Sequence, residues 1–331
     1  MNKLKILVVE YITGGGFNKD DLPGHLANEG LLMLEALVNC LQSINGIELT
    51  GMLDSRLVDR LSIKLHNCTI VKPQQTFEQE FTKLIQTCDA VWPIAPESNG
   101  VLQTLCEIVE SSGKLLLNSS ASAVTLSGNK WLTFKCLQQH SINCVETNLL
   151  DNFEYSSGEW IIKPIDGVGC ENSFLIGDRQ AFDEVAANLH KLDFIIQPHL
   201  KGEKTSLSCL FKQGQGWLIC ANRQHFKIID RQYHLTGITV NYSADISHYL
   251  DLVEEVAKAI PELWGYAGID LIETEDKILV LEINPRLTTS FVGIKQACGI
   301  NCAESVLSLV QGNPCLQSQS RNNTPVQISI E

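Results

Sequence analysis

The 331 residues exceed the ~100 to 200 typical of one domain and predict two or three packed units. A hydrophobic fraction of 44% and a charged fraction of 19% are typical of globular proteins, and no apolar run reaches the ~18 residues of a membrane span. The net charge of -13 argues against a nucleic-acid partner, because binding to a phosphate backbone depends on many lysines and arginines.

The first third of the chain alternates apolar, strand-like runs with helical patterns, which predicts βαβ units on a parallel sheet. It opens without a signal-peptide pattern, so we expect the first strand of a cytoplasmic protein. The twelve cysteines form no C-x-x-C pair, which favours reduced thiols over disulfides or a zinc site. Strands are predicted at 5–9, 47–53, 90–92 and 115–117, and helices at 30–41, 77–86 and 100–111.

Three glycines, Gly14, Gly15 and Gly16, follow the first predicted strand. They permit a ligand to approach the backbone where open α/β sheets bind substrates, and they are candidate substrate contacts. A loop without a ligand is the alternative. The glycines do not complete the G-x-G-x-x-G pattern, and the acid at Asp54 lies too far along the chain for a dinucleotide-binding fingerprint. A Rossmann dehydrogenase is therefore disfavoured.

The composition turns small and polar at 118–123, which indicates a crossing segment between domains. Beyond it, strands outnumber helices, so antiparallel strands with helices packed on one side describe this region best. The tail from Gln311 has little apolar content until Val326, and we expect it to be loosely attached. A helix is predicted at 127–139, and strands at 160–164, 194–197, 205–211, 217–221, 267–272 and 278–283.

One apolar strand ends in Lys163 and continues into a flexible loop that contains Gly167 and Gly169. Such glycines permit positive φ and a close approach of backbone N–H groups to a phosphate, and the lysine adds a point charge. A simple turn is the alternative. Lys130, at the start of the predicted helix, supplies a second cation, which favours an anion site.

Another strand leaves through a proline-marked hinge that runs from Gln197 through Pro198, His199 and Leu200 to Glu203. Backbone groups at such a hinge can form hydrogen bonds with the edge of an adenine. The side chains of Gln197 and Glu203 offer acceptors for the exocyclic amine and the ribose. Strands commonly end at Pro and Gly, so a plain turn is the alternative.

A hairpin of two apolar strands carries acidic side chains. Alternation places Glu282 and Asn284 on one face of the second strand, and Asp270 on the first strand can join them. Two carboxylates and an amide oxygen are hard ligands that suit Mg²⁺, with substrate phosphates completing its shell. A surface hairpin with charged tips is the alternative, but polar residues in so apolar a strand need partners.

Arg286 follows this hairpin directly and brings a guanidinium beside the predicted metal site. It can stabilise the charge on a transferring phosphoryl group or a tetrahedral adduct. The hydroxyls of Thr288, Thr289 and Ser290 come next and can form hydrogen bonds with a substrate carboxylate. We therefore predict catalytic roles for Arg286 and Lys163, and substrate binding in the loop after the hairpin.

Taken in order, Lys130, Lys163 with its glycine loop, the hinge and the hairpin resemble the ATP-grasp superfamily. The resemblance implies an α/β domain followed by an α+β fold whose two subdomains sandwich ATP and Mg²⁺, with Mn²⁺ as a substitute. It also implies that a carboxylate is activated as an acyl phosphate and passed to an amine. The expected units are a pre-ATP-grasp domain at 1–117, an ATP-grasp domain at 118–310 with a lid subdomain at 125–197 and a large subdomain at 198–310, and a tail at 311–331.

The segments 10–17 and 93–100, the second of which contains Glu97, look like those of tyramine-glutamate ligases of one-carbon coenzyme biosynthesis. This narrower resemblance implies that glutamate is joined to tyramine or a tyrosine-like amine, with Glu97 near the substrate. Carbamoyl-phosphate-synthase-like enzymes and amino-acid ligases share much of the pattern, and a nucleotide-binding sensor without ligase activity is a further alternative. The expected partners are a small carboxylate and an amine, without nucleic acid or membrane, and a homodimer is left open.

Overall fold

The computed structural model describes residues 3–63, 65, 67–317 and 324–330. Within these residues, the first sheet has five parallel strands in the order β3-β2-β1-β4-β5. This arrangement confirms the predicted parallel α/β domain. The strands are β1 (Leu4–Glu10), β2 (Ile47–Asp54), β3 (Asn67–Val71), β4 (Ala90–Ile94) and β5 (Leu115–Leu116). The helices are α1 (Gly24–Gln42), α2 (Phe77–Ile85) and α3 (Val101–Ser111).

Strand β1 lies at the centre of this sheet and is buried on both faces. Ile6 and Val8 belong to the core formed with α1, whereas Leu7 and Val9 belong to the core formed with α2 and α3. A central parallel strand has this continuous apolar pattern because helices cover both faces of the sheet. Glu10 ends the strand and is only 2% exposed. A carboxylate is therefore held at the carboxyl end of β1, where open α/β sheets bind ligands.

Two helices connect the first sheet to the rest of the chain. They are α4 (Ala121–Gly128) and α5 (Lys130–Gln139). Asn129 between them has extended backbone angles and caps α5, because its Oδ1 accepts the N–H of Leu132 at 3.0 Å. The helix predicted at 127–139 is therefore two helices, and the second begins only after this cap.

A small antiparallel sheet follows, with the described strands in the order β6-β9-β7-β8. The strands are β6 (Asn148–Leu149), β7 (Trp160–Pro164), β8 (Phe174–Ile176) and β9 (Phe194–Pro198), and helix α6 (Arg179–Ala186) packs against them. Lys163 in β7 pairs with Ile195 in β9. The glycine loop at 165–173 leaves the end of β7, so the lysine and the loop lie together.

A larger antiparallel sheet has the described order β14-β13-β10-β11-β12-β15. The two antiparallel sheets confirm the prediction for this half of the chain. The strands are β10 (Glu203–Lys212), β11 (Gln215–Ile229), β12 (Gln232–Val240), β13 (Gly265–Glu273), β14 (Ile278–Asn284) and β15 (Val326–Ser329). The helices are α7 (Leu250–Ala259), α8 (Phe291–Cys298) and α9 (Cys302–Gln311).

The chain beyond α9 contributes strand β15 to this sheet. Val326 pairs with Val240 of β12, and Ile328 pairs with Ile238. The expectation of a loosely attached tail is therefore wrong for β15, while 318–323 lie outside the described residues. A strand of four residues at a sheet edge needs few apolar side chains, so composition did not reveal it.

One hydrophobic core joins the first sheet to the larger sheet. Helix α1 contributes Leu34, Leu37 and Leu41 to this core, and α8 and α9 contribute Phe291 and Val306. The N-terminal domain is therefore packed against the sheet that carries the acidic hairpin. No helix in the described parts of the chain combines the length and apolarity needed to span a bilayer.

Candidate active site

One cleft gathers residues from all three sheets. It has a cavity volume of about 200 Å³ and lies between the ends of β1 and β4, the glycine loop after β7, and strands β11, β13 and β14. Most of the residues singled out in the sequence lie in its wall. They are Lys130, Lys163, Gly167, Gly169, Asp270, Glu282, Asn284, Arg286, Thr288, Thr289 and Ser290.

The acidic hairpin faces two lysines across this cleft. Asp270 pairs with Glu282 in the antiparallel ladder of β13 and β14. Glu282 Oε2 lies 3.2 Å from Lys130 Nζ and 3.9 Å from Lys163 Nζ. Burial opposes ionisation of Glu282, but the two cations outweigh it and hold the pKa of that carboxyl below its usual value. Burial and the neighbouring Glu282 carboxylate raise the pKa of Asp270.

The two lysines are themselves buried and tied to the glycine loop. Lys130 Nζ donates a hydrogen bond to the carbonyl of Gly167 at 2.6 Å. Burial lowers the pKa of Lys163 to about 8, although Glu282 acts in the opposite direction. A partly desolvated ammonium binds a phosphate strongly, because water screens the interaction less. The lysines and the loop are therefore placed to hold an anion together.

The donor set of the hairpin fits Mg²⁺. Asp270 accepts hydrogen bonds from Gln224 Nε2 and Asn284 Nδ2, each at 3.2 Å. The Asn284 amide also carries an oxygen, which rotation of the side chain presents to a cation. Two adjacent buried carboxylates repel each other, and a divalent cation offsets that repulsion. No three His, Cys, Asp or Glu side chains of the described residues cluster as a metal site.

A β-bulge turns an additional side chain of the hairpin toward the cleft. The ladder pairs Asp270 with Glu282 but Leu271 with Val280, so Leu281 has no opposite residue. Strict alternation would place Leu281 on the face away from Glu282, yet both line the cleft. Bulges beside functional sites re-aim side chains in this way.

A second cavity of about 90 Å³ adjoins the cleft at the hinge. Gln197, Pro198, His199 and Leu200 line it, together with the apolar side chains of Ile161, Phe226, Tyr233, Ile272 and Leu281. Gln197 Nε2 donates to Thr147 Oγ1 at 2.9 Å, which leaves the amide oxygen as an acceptor. A mostly apolar slot with this acceptor at its edge suits a flat heterocycle that carries an amino group.

The structure does not bring Glu203 into either cavity. Its side chain is exposed and pairs with Arg223 at 2.8 Å. Glu203 begins β10 and is directed toward the neighbouring strand β11, which carries Arg223. The predicted contact to a ribose is therefore not supported by its position.

The glycines after β1 do not line the cleft. A side chain at Gly15, whose φ is +100°, would collide with Val71, and one at Gly16 would collide with the Tyr11 ring. Gly14 faces Met52 within the same domain. The glycines are needed for a tight backbone turn inside the N-terminal domain, so their predicted contact with substrate is not supported.

An ion pair joins Arg286 to the N-terminal domain. Its Nε lies 2.9 and 3.0 Å from the two carboxylate oxygens of Glu97, and Nη1 donates to the carbonyl of Leu287 at 3.1 Å. Glu97 is 7% exposed and does not line the cleft. It therefore positions the guanidinium of Arg286, whereas the resemblance had implied a place near the substrate.

Three acids in the cleft wall, Glu10, Glu29 and Glu171, were absent from the predicted site residues. Glu10 accepts the N–H groups of Ile12 at 3.2 Å and Thr13 at 2.7 Å. Glu29 on α1 accepts the hydroxyl of Thr289 at 2.8 Å. Burial raises the pKa of Glu10 to about 7 and also raises the pKa of Glu29. The sequence could have indicated Glu10, because an acidic residue ends an otherwise apolar strand there.

The N-terminal domain also holds the glycine loop over the cleft. Asp166 Oδ2 accepts the N–H of Asn99 at 2.7 Å, and Ser98 Oγ donates to the carbonyl of Asp166 at 3.2 Å. His25 Nε2 lies 3.1 Å from Glu171 Oε1 at the other end of the loop. The loop is therefore fastened at two points and covers the cleft.

Replacing Lys130 by Met should weaken the binding of Mg-ATP about 10- to 100-fold, the equivalent of one charge-assisted hydrogen bond. The change removes the cation beside Glu282 and the contact to Gly167. Isothermal titration calorimetry measures the affinity. Lys135→Met is the matched control, because Lys135 is exposed on the same helix. Equal affinities in the two variants would contradict a phosphate-binding role for Lys130.

Comparison with known proteins gives the family. The pre ATP-grasp 3 domain matches residues 47–124, and the ATP-grasp domain matches residues 127–290. The tyramine--L-glutamate ligase of Methanocaldococcus jannaschii is 28% identical over 299 residues, which cover 88% of this chain and 84% of that relative.

Solved structures of low sequence identity share the fold. An ATP-grasp superfamily protein from Archaeoglobus fulgidus has a TM-score of 0.73 and 22% identity, covering 99% of this chain and 92% of its own. N5-carboxyaminoimidazole synthetase from Staphylococcus aureus, solved with ADP, has a TM-score of 0.71 and 16% identity, covering 99% of this chain and 83% of its own. The chain belongs to the ATP-grasp family and is an ATP-dependent ligase.

Proposed function

We propose that this ligase activates the carboxylate of glutamate as an acyl phosphate and transfers it to tyramine or a tyrosine-like amine. The observation that carries the proposal is a single cleft with cations on one wall and carboxylates of the N-terminal domain on another. The first wall suits a nucleotide and a carboxylate, and the second suits an ammonium. The similarity to a tyramine--L-glutamate ligase supports these two substrates.

In this proposal the hinge cavity holds the adenine, and Lys130, Lys163 and the glycine loop hold the phosphates. Asp270, Glu282 and Asn284 would hold Mg²⁺, which would neutralise charge on the terminal phosphates. The chain contributes mainly by positioning and by preorganised charge, as is usual for phosphoryl transfer.

The loop after the hairpin is proposed to bind the carboxylate. Thr288 Oγ1 lies 3.2 Å from the Tyr266 hydroxyl, and Thr289 gives its hydroxyl proton to Glu29, so the hydroxyls of Thr288 and Ser290 are the ones that can donate to the carboxylate. Arg286 is fixed by Glu97 and lies beside this loop. A carboxylate oxygen attacks the γ-phosphorus, its bond to phosphorus forms, and the bond to the leaving ADP breaks. Arg286 then stabilises the charge on the acyl phosphate and its tetrahedral adduct.

The amine is proposed to enter along the N-terminal wall of the cleft. Glu10 and Glu29 supply negative charge there, which favours an ammonium group. Apolar side chains that can contact an aromatic ring lie in the same cleft. They are Leu26, Met33, Ile94, Phe226 and Leu235.

Mass spectrometry of reactions with Mg-ATP, glutamate and tyramine tests this proposal. We expect ADP and an amide of glutamate and tyramine in equal amounts. Parallel reactions replace tyramine by amino acids, which an amino-acid ligase would use. ADP formation with amino acids and none with tyramine would reject the proposed acceptor, and ATP binding without turnover in any reaction would favour a nucleotide sensor.

Asp166→Ala should raise the amount of ADP formed per amide about 2- to 10-fold, the equivalent of one ordinary hydrogen bond. The loss of the contact to Asn99 loosens the loop and admits water to the acyl phosphate. The ratio of ADP to amide is measured by chromatography. Asp151→Ala, an exposed change elsewhere in the same subdomain, is the control. An unchanged ratio in Asp166→Ala would show that this contact does not keep water out.

A further inference from the structure

We propose that Glu10 accepts the proton that the attacking amine must lose. The assignment rests on the proposed function, since it requires an ammonium substrate in the cleft. It adds the group that converts this ammonium into a nucleophile, a role for which neither the lysines nor the acidic hairpin is suited.

The position of Glu10 supports the role. It ends β1, is 2% exposed, and lines the cleft that also contains the lysines and the acidic hairpin. The N–H groups of Ile12 and Thr13 each contact one carboxylate oxygen. A side chain at position 30 would collide with Glu10 Oε2, so Gly30 leaves room for the carboxylate beside α1. The carboxylate is therefore held rigidly and retains lone pairs for a further hydrogen bond.

The other acids of the site are committed to different partners. Glu97 forms an ion pair with Arg286, and a guanidinium-bound carboxylate is a weak base. Glu282 lies beside two lysines, and Asp270 belongs to the proposed metal site. Glu29 accepts the hydroxyl of Thr289, and Glu171 forms an ion pair with His25. Among the described residues, Glu10 is the cleft carboxylate that backbone N–H groups hold, with a further hydrogen bond from the Thr13 side chain, and it forms no ion pair.

The electrostatic environment agrees with this geometry. Burial raises the pKa of Glu10 to about 7, while Thr13, Ile12 and the charge of Arg286 act in the opposite direction. Glu29 faces the same cleft from α1. A base whose pKa lies near the working pH can both accept a proton and release it.

The proton balance is complete. The ammonium gives one proton to the Glu10 carboxylate and becomes a neutral amine. Its lone pair attacks the acyl carbon, the carbon–nitrogen bond forms, and the carbon–oxygen bond to phosphate breaks with its electron pair on the phosphate. The second proton leaves the amide nitrogen with the departing phosphate, and Glu10 returns its proton to water.

Two nucleophiles separate this role from the first half of the reaction. Hydroxylamine is largely uncharged at neutral pH, so it traps the acyl phosphate as a hydroxamate without needing a base. Tyramine is protonated at that pH and needs one. In Glu10→Gln we expect hydroxamate formation to continue while the rate of amide formation falls about 100-fold or more, the usual contribution of a general base. Glu107→Gln, an exposed change on α3, should affect neither product.

The outcomes distinguish the two proposals. If the unmodified protein forms neither hydroxamate nor amide, the proposed function fails and this assignment fails with it. If the unmodified protein forms both and Glu10→Gln forms amide at an equal rate, only the assignment of Glu10 is wrong. Equal loss of both products in a folded Glu10→Gln protein also overturns it. If that variant does not fold, Glu10→Asp replaces it, with at least about a tenfold selective loss of amide expected and equal losses counting against the role.

A pH profile gives an independent readout. Because the ionised carboxylate is the base, the rate of amide formation should rise as the pH increases through about 7. This inflection should be absent from hydroxamate formation and from amide formation by Glu10→Gln. An inflection retained in the variant would assign it to another group, such as Glu29, and would overturn the role of Glu10.

Discussion

Glu282→Gln is expected to lower kcat for ADP formation by more than about 100-fold. Mutating a residue that only hydrogen-bonds to a metal ligand typically lowers metal affinity or activity about 10- to 100-fold, and Glu282 is proposed to bind the metal directly. The neutral amide is a poorer metal ligand and no longer offsets the charges of Lys130 and Lys163. Nucleotide binding should fall much less, since the hinge cavity and both lysines remain. Steady-state kinetics and calorimetry measure the two effects separately.

Glu275→Gln is the control for this change, because Glu275 is exposed in the turn of the same hairpin. It should leave both kcat and nucleotide affinity unchanged. Unaltered ADP formation in Glu282→Gln would remove Glu282 from the metal site. A loss of affinity as large as the loss of kcat would show that Glu282 acts in binding and not in the chemical step.

Arg286→Lys is expected to lower kcat by about 100- to 1000-fold, the usual effect of removing one donor that stabilises developing charge. Lysine retains the positive charge but lacks the planar fork that contacts Glu97 and a second anion at once. The acyl phosphate step and the amine step should both slow, so hydroxamate and amide formation should fall together. Quantifying the hydroxamate and the amide in reactions quenched at fixed times measures both rates.

The ion pair of Arg286 provides its own control. Glu97→Gln keeps the guanidinium but weakens its orientation, so we expect a smaller loss of kcat than in Arg286→Lys. A larger loss in Glu97→Gln would mean that Glu97, and not Arg286, carries the chemistry. A loss below about tenfold in Arg286→Lys would contradict direct charge stabilisation.

The hairpin and the lysines could be predicted because their signals are local. Polar residues in an apolar strand, such as Glu282 and Asn284, indicate buried partners within a few positions of sequence. Lys163 precedes its glycine loop directly. The alternation of strands and helices in the first third predicted the parallel sheet for the same reason.

The remaining features of the site depend on contacts between distant residues. Glu97 and Arg286 are 189 positions apart, and Thr289 and Glu29 are 260 positions apart. No local pattern indicates such pairs. The glycines after β1 had a local pattern, but it signalled a tight turn against Val71 and Tyr11 instead of a substrate contact.

The transfer of oxygen from the carboxylate to phosphate tests the central claim most directly. Glutamate labelled with ¹⁸O in its carboxylates is incubated with Mg-ATP and tyramine, and the released phosphate is analysed by mass spectrometry. An acyl phosphate intermediate predicts one ¹⁸O atom in each phosphate, together with ADP and the amide. Unlabelled phosphate, or AMP and pyrophosphate in place of ADP, would contradict it.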